Sequence, residues 1–209
     1  AQPTKKTEEK PQAVPEALAK AELDPASVVI IKRPQGDLEA VVKKVTYSGP
    51  SGDASMYLAV SFAQVPGVIA GEDVSVVRPV EVFITASPDG VPSEWVAAYA
   101  RSLSLLARSG VQLLSKALQD GRAVRSDKGR VRYGFFEKPD GTRVPRFHGS
   151  EVALIAFAVQ EVLIDKGVLD VDGNPVPSRV RLKKSVVPQT TQAAISNAGN
   201  KLKAGKECK

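Results

Sequence analysis

The sequence predicts an α+β fold with a strand-rich N-terminal half, a long central helix, a β-hairpin and a second, buried helix, with polar arms at both ends. Short runs rich in Val, Ile and aromatic residues fill the first half between Gly- and Pro-containing turns, which is typical of strands. Residues 93–120 place apolar side chains at alternating steps of four and three, which is typical of a helix. Both ends have few large hydrophobic residues. We therefore expect a flexible arm over residues 1–24, a single core domain over 25–187 and a basic arm over 188–209.

Four apolar runs predict strands that form an antiparallel sheet or hairpins covering the helices. They are residues 28–31, 38–47, 56–62 and 74–85, and the turns between them are residues 34–36, 48–52 and 65–67. Residues 56–64 also fit a short helix. Pro79 interrupts the last run and predicts an edge position or a bend, because proline cannot donate to a strand ladder.

One uninterrupted helix is predicted over residues 93–120. Ser93 suits the N-cap, Glu94 places negative charge on the first turn, and Gly121 suits the helix end. Gly110 costs about 1 kcal/mol relative to Ala inside a helix, and on the packing face it would let another element approach closely. The apolar stripe of this helix consists of Trp95, Tyr99, Leu103, Leu106, Gly110, Leu113 and Ala117.

A β-hairpin is predicted beyond this helix, with strands at residues 131–137 and 142–147 and a turn at residues 138–141. The turn has Pro139 in its first central position and Gly141 where a positive φ is needed. Both residues fit their positions, which favours a tight connection.

A second helix is predicted over residues 151–166, with Ser150 as its N-cap and Gly167 at its end. Residues 152–159 are apolar almost all round, so this helix should be buried on more than one side. Residues 178–187 read as a basic, extended segment.

The search for a catalytic or metal-binding set returns mostly exclusions. His148 is the only histidine and Cys208 the only cysteine, which excludes the usual multi-His and multi-Cys metal sites. Nucleophile-elbow, dinucleotide and phosphate-loop motifs do not occur. Residues 170–174 begin like a calcium loop, but Pro175 and Arg181 occupy the positions that need Gly and a bidentate Glu. We therefore expect no enzymatic activity, no cofactor and no metal, and no apolar run is long enough to span a membrane.

Positive charge is concentrated in two segments. Residues 122–146 contain eight Lys and Arg against three acidic residues, and residues 179–209 contain eight against one. The whole chain has a net charge of only +6, so other regions are acidic. Local clustering of this kind favours contact with a polyanion.

Residues 122–147 also interleave arginines with aromatic residues. Guanidinium groups bind phosphates in a forked geometry, and aromatic rings stack on unpaired bases. In a strand Arg130 and Arg132 would share one face, opposite Val131 and Tyr133. The alternative is a hairpin whose aromatic residues are core and whose arginines are only solvated. The candidate nucleic-acid-binding residues are Arg122, Arg125, Lys128, Arg130, Arg132, Tyr133, Arg143, Arg146, Arg181 and Lys183.

A Lys- and Pro-bearing N-terminal arm, a helical centre and a Gln-, Asn-, Ser- and Lys-rich end together resemble the coat proteins of filamentous or rod-shaped plant RNA viruses. The resemblance implies a helical array in which RNA lies in a basic groove and the terminal arms join neighbouring subunits. It also implies location in the virion and the host cytoplasm. The expected function is that of a self-assembling structural protein that packages RNA through its backbone phosphates, without sequence preference.

Three alternatives remain open. The chain could be a nucleic-acid-binding protein that does not polymerise. It could be a phage tail or head-completion protein that assembles through protein contacts alone. It could also be an enzyme that uses carboxylates and arginines on a phosphorylated substrate.

Overall fold

The computed structural model of the chain describes residues 21–86 and 94–184. Ser93 and most of both predicted arms lie outside the described residues. The predicted α+β class, with its strands concentrated in the first half, is confirmed. The elements are β1 (Glu39–Gly49), β2 (Gly52–Ile69), β3 (Glu72–Ala86), α1 (Glu94–Ser109), α2 (Val111–Arg122), β4 (Val131–Glu137), β5 (Arg143–His148), α3 (Glu151–Asp165), α4 (Ser178–Arg181) and β6 (Lys183–Lys184).

The strands form one antiparallel sheet in the order β5-β4-β1-β2-β3-β6. β1 and β2 pair along the whole of β1, as far as Gly49 opposite Gly52, so the predicted turn at residues 48–52 is confirmed. The alternative of a short helix at residues 56–64 is wrong, because these residues belong to β2. β6 adds only two residues to the far edge.

The irregularity predicted at Pro79 is a β-bulge in β3. Ser61 lies opposite Glu81 and Phe62 lies opposite Pro79, so Val80 is an extra residue between the two pairs.

The turn predicted at residues 65–67 is wrong, because β2 continues through it to Ile69. β1 pairs with β2 only as far as Phe62, so Pro66 lies where its missing N–H leaves no ladder bond to β1 unmade. Gly67 is needed for close approach, since a Cβ there would clash with the carbonyl of Leu23. Leu23, within the predicted arm, pairs with Val68 through two 2.8 Å backbone hydrogen bonds.

The strand predicted at residues 28–31 is also wrong, because this segment is irregular. Its polar backbone groups bond to side chains and helix ends instead of to a neighbouring strand. The carbonyl of Val28 accepts a hydrogen bond from Arg78, and Ile30 N donates to the carbonyl of Arg108 at 2.9 Å. Tertiary contacts therefore override the strand propensity of this apolar run.

The single long helix predicted over residues 93–120 is wrong, because Gly110 divides it into α1 and α2. Gly110 has φ +143° and ψ 151°, an extended conformation that essentially only glycine adopts. Arg78 of β3 is fully buried and donates to the carbonyls of Ala107 (2.9 Å) and Arg108 (3.4 Å) at the end of α1. Val111 N donates to the carbonyl of Ala26 at 3.1 Å. Groups from outside the helices thus satisfy the backbone at the break.

Gly121 does not end the helix as predicted, since α2 continues to Arg122. A Cβ on Gly121 would lie 2.5 Å from Tyr99 Oη and 3.1 Å from Ala156 Cβ, so this glycine allows α1, α2 and α3 to pack closely. Two members of the predicted apolar stripe, Trp95 and Leu113, are exposed. The face that is actually buried consists of Val96, Ala100, Leu103, Ala107, Val111, Leu114 and Leu118.

The predicted hairpin and second helix are confirmed as β4–β5 and α3. The Ser150 hydroxyl accepts from Ala153 N at 3.1 Å, which is the N-cap bond that the sequence predicts. α3 is buried on nearly all sides, from Ala153 to Leu163. The expected extended segment at residues 178–187 is different where it is described, since Ser178–Arg181 forms a helical turn.

The core lies between one face of the sheet and the three long helices. α1 covers β3, and the hydroxyl of Ser104 lies 2.9 Å from Val82 N and 3.1 Å from the Val82 carbonyl oxygen. α1 thereby covers part of an edge that would otherwise be open to pairing. Among the described residues, none of the helices has the length and apolar character needed to cross a membrane.

Candidate nucleic-acid interface

The β4–β5 hairpin has two chemically different faces. Val131 and His148 are buried on the face toward α3, and Tyr133 lies half-buried beside them. Arg132 and Phe147 are cross-strand partners on the opposite face, and both are exposed. The predicted separation of an inward apolar face from an outward basic face is therefore observed at these positions.

The inward face is fixed to α3 by aromatic and polar contacts. The ring of Phe157 lies 4.9 Å from that of His148 and 6.2 Å from that of Tyr133, measured between centroids. The Tyr133 hydroxyl donates to Glu161 Oε2 at 3.2 Å, and Lys43 Nζ lies 2.6 Å from the same oxygen. Tyr133 thus packs inward, which makes it part of the support of the hairpin and removes its ring from the exposed surface.

Two of the candidate arginines also reach Phe157. The guanidinium carbons of Arg146 and Arg122 lie 4.5 Å and 5.4 Å from the Phe157 ring centroid, distances typical of cation–π contacts. Arg122 also donates to Gln160 Oε1 at 2.8 Å. Burial lowers the pKa of His148, and the positive charges of Arg146 and Arg122 lower it further. The imidazole is therefore held in its neutral form near pH 7.

The outward face and tip of the hairpin, with the residue that precedes it, expose cations beside aromatic rings. We call this the hairpin surface, and it consists of Arg130, Arg132, Phe135, Phe136, Arg143 and Phe147. The Arg143 guanidinium lies 5.0 Å from the centroid of Phe135, and Arg132 donates to Ser48 Oγ at 3.2 Å. Phe147 is 60% exposed and Phe135 56%. None of the three arginines has a carboxylate partner within the described residues.

Arg125 and Lys128 are exposed on the loop that joins α2 to β4, next to the hairpin surface. Hydrogen bonds hold this loop in place from both sides. Ser126 N donates to the carbonyl of Gly149 at 2.9 Å, and Ser150 Oγ donates to the carbonyl of Val124 at 2.9 Å.

The structure places the last two candidates elsewhere. Arg181 donates to the carbonyl of Val77, and burial lowers the pKa of its guanidinium. Lys183 pairs through its backbone with Ser75 in β6, at the opposite edge of the sheet from β5. The other eight candidates lie on the hairpin, the loop before it and the end of α2, so they form the more coherent group.

The calcium-like sequence at residues 170–174 forms a closed turn. Asp170 Oδ1 accepts from Asp172 N at 3.0 Å and Asn174 N at 2.8 Å, so its own backbone occupies the carboxylate. These bonds lower the pKa of Asp170. In the part of the chain that the structure describes, no three His, Cys, Asp or Glu side chains lie together as metal ligands.

Sequence reasoning missed the exposure of Trp95, which it assigned to the buried stripe of a long helix. Trp95 is 40% exposed and lies beside the loop that carries Arg125 and Lys128. The available signal was its position one turn from the helix start, where a side chain can lie beyond the packed part of the helix.

Comparison of the chain with protein-family models, curated proteins and solved structures gives no significant match.

Proposed function

We propose that this chain is a self-assembling structural protein of the viral coat or nucleocapsid type, which packages RNA through contacts to the backbone phosphates. The observation that carries the proposal is the hairpin surface, where three exposed arginines without carboxylate partners lie among three exposed phenylalanines.

Unpaired guanidinium groups suit a polyphosphate ligand. An arginine in a solvated ion pair is already partly neutralised, whereas the free cations of the hairpin surface gain from replacing condensed counterions on RNA. The exposed rings of Phe135 and Phe147 add stacking platforms that accept any base. Together these features favour binding to single-stranded RNA without sequence preference.

A second exposed surface supports assembly from identical copies. On the face of the sheet that points away from the helices, Val42, Ala59 and Phe83 are neighbours across β1, β2 and β3. Val42 is 65% exposed and Phe83 51%. An apolar patch on the middle strands of a sheet favours a protein contact, and in a polymer the partner would be a second copy of this chain.

The proposal is tested by removing two cations from the hairpin surface. Arg130→Ala combined with Arg132→Ala should lower the RNA content of purified assemblies, measured as the ratio of absorbance at 260 and 280 nm. It should also reduce the salt dependence of RNA binding by about 0.7 per lost phosphate contact. Arg101→Ala combined with Lys32→Ala removes the same charge from exposed positions away from the hairpin, and it should change neither quantity. Equal RNA content and equal salt dependence in the two double variants would overturn the proposal.

The exposed sheet face also favours a second candidate, a phage structural protein that assembles through protein contacts alone. Negative-stain microscopy distinguishes the two. The coat-type proposal expects particles of uniform width with a high 260/280 ratio, whereas the second candidate expects ordered oligomers free of nucleic acid. A small species that binds RNA in a salt-sensitive manner would instead indicate a binding protein that does not polymerise.

A further inference from the structure

A groove of about 670 Å³ lies next to the hairpin surface and has no role in the contacts described above. We call it the Trp95 groove. Its walls are the β1–β2 turn, the loop between α2 and β4, the first turn of α3 and the first turn of α1. Its volume lies within the range of sites that hold one small organic group.

The groove is formed before any ligand binds. The Ser126–Gly149 and Ser150–Val124 hydrogen bonds described above fix one wall, and Lys128 N donates to Ser126 Oγ at 3.1 Å within the same loop. Pairing of Gly49 with Gly52 fixes the turn that forms the opposite wall. A preformed site loses little conformational entropy when it binds.

Trp95 provides an aromatic surface in this groove. It is the only tryptophan of the chain, it is 40% exposed, and Val124 beside the same cavity is 41% exposed. A large ring left partly bare at the wall of a concave site is suited to stacking on a planar group such as a base.

The charged groups of the groove indicate which part of a nucleotide it holds. Arg125 and Lys128 line it together with Asp53, Asp127 and Glu151, so its lining has more carboxylates than cations. Glu151 is engaged, because the Tyr47 hydroxyl donates to it at 2.8 Å. Asp53 and Asp127 have no partner within the described residues. This set disfavours a bare phosphate but offers acceptors for an amino group.

We infer that the Trp95 groove holds one unpaired RNA base that has an exocyclic amino group, namely cytosine, adenine or guanine. The base stacks on Trp95, and the carboxylate of Asp53 or Asp127 accepts a hydrogen bond from the amino group, a pairing that carboxylates make with cytosine N4. The flanking phosphates lie on Arg125 and Lys128, from which the strand continues to Arg130 on the hairpin surface. The inference rests on the proposed function and adds a base preference to it.

Titration of Trp95 fluorescence with short oligonucleotides tests the inference on the whole chain. Oligo(C) and oligo(A) should quench the emission and bind more tightly than oligo(U), which lacks the amino group. Quenching without any difference among the three would overturn the assigned base class.

Variants separate stacking from the carboxylate contact, with binding followed by the anisotropy of labelled oligo(C). Trp95→Ala should weaken binding by about tenfold, the middle of the range for one base–aromatic stack, while Trp95→Phe should retain most of the affinity. Leu113→Ala, which shortens another exposed apolar side chain on α2, is the matched control and should bind normally. Asp53→Asn combined with Asp127→Asn changes exposed side chains without altering their shape, so it should reduce the preference for oligo(C) over oligo(U) even if Trp95→Ala fails to fold.

The outcomes distinguish this inference from the proposed function. If the chain binds RNA but Trp95 is not quenched and Trp95→Ala binds normally, the groove assignment is wrong and RNA binding by the hairpin surface stands. If the chain binds none of the oligonucleotides at low salt, the proposed function fails and the inference fails with it.

Discussion

Replacing Gly110 by alanine distinguishes local helix preference from the demands of the tertiary structure. Helix propensity alone favours alanine by about 1 kcal/mol, because the apolar pattern continues on both sides of this residue. The structure makes the opposite prediction. Gly110 has φ +143° and ψ 151°, and an alanine held there is strained.

The size of the effect follows from the backbone conformation. A non-glycine residue in this region costs about 1–3 kcal/mol. Alanine also restricts the unfolded chain, which offsets about 0.4–1 kcal/mol of that cost. The new Cβ itself meets no close atom, since the nearest, the carbonyl oxygen of Ala26, would lie 3.6 Å away. We therefore expect Gly110→Ala to reduce the free energy of unfolding by about 1–2 kcal/mol.

Urea unfolding followed by far-ultraviolet circular dichroism measures this change. Gly49→Ala is the matched control, because Gly49 has no positive φ and its added Cβ would lie 3.4 Å from Val131 Cγ1. It should shift the free energy of unfolding by no more than about 0.5 kcal/mol. A Gly110→Ala variant more stable than the wild type would refute the reasoning and indicate that α1 and α2 can join into one helix.

Two further predictions concern buried polar groups. Arg78→Met should lower the free energy of unfolding by about 3 kcal/mol or more, because Arg78 donates charged hydrogen bonds to the carbonyls of Pro25, Val28, Ala107 and Arg108; Arg101→Met on the exposed face of α1 should have little effect in the same urea experiment, and equal losses in both variants would contradict this role. His148 has a lowered pKa, so the folded state binds fewer protons than the unfolded state, and stability should fall as the pH drops below about 6.5 through the folded pKa. Urea midpoints at several pH values, compared with those of His148→Gln, would measure this contribution, and the single imidazole signal in NMR would report the pKa; parallel pH profiles of the two proteins would exclude it.

Local patterns were sufficient wherever neighbouring residues in the chain decide the outcome. The β4–β5 hairpin depends on turn residues that set their own dihedral angles, and α3 depends on the Ser150 cap and a continuous apolar run. The inward and outward alternation of Arg132 and Tyr133 follows from the geometry of a strand. For the same reason, the basic hairpin was visible as a candidate site before its structure was known.

Contacts between distant residues decided the rest. Pro66 and Gly67 look like a turn, but they continue β2 because β1 does not reach them and Leu23 pairs beside them. Arg181 looks like a free cation, but Val77 accepts its hydrogen bond at the sheet edge far from the hairpin.

What the amino-acid sequence determined by itself is the set of helices and strands with strong periodicity, together with the segments in which positive charge gathers. Only the tertiary structure decided that Gly110 breaks the central helix, and that Trp95 faces a groove instead of the core. The physical reason is one of magnitude. A helix preference of about 1 kcal/mol at one position is outweighed by several charged hydrogen bonds from a buried arginine, each worth about 1.5–3 kcal/mol. That arginine lies about thirty residues earlier in the chain.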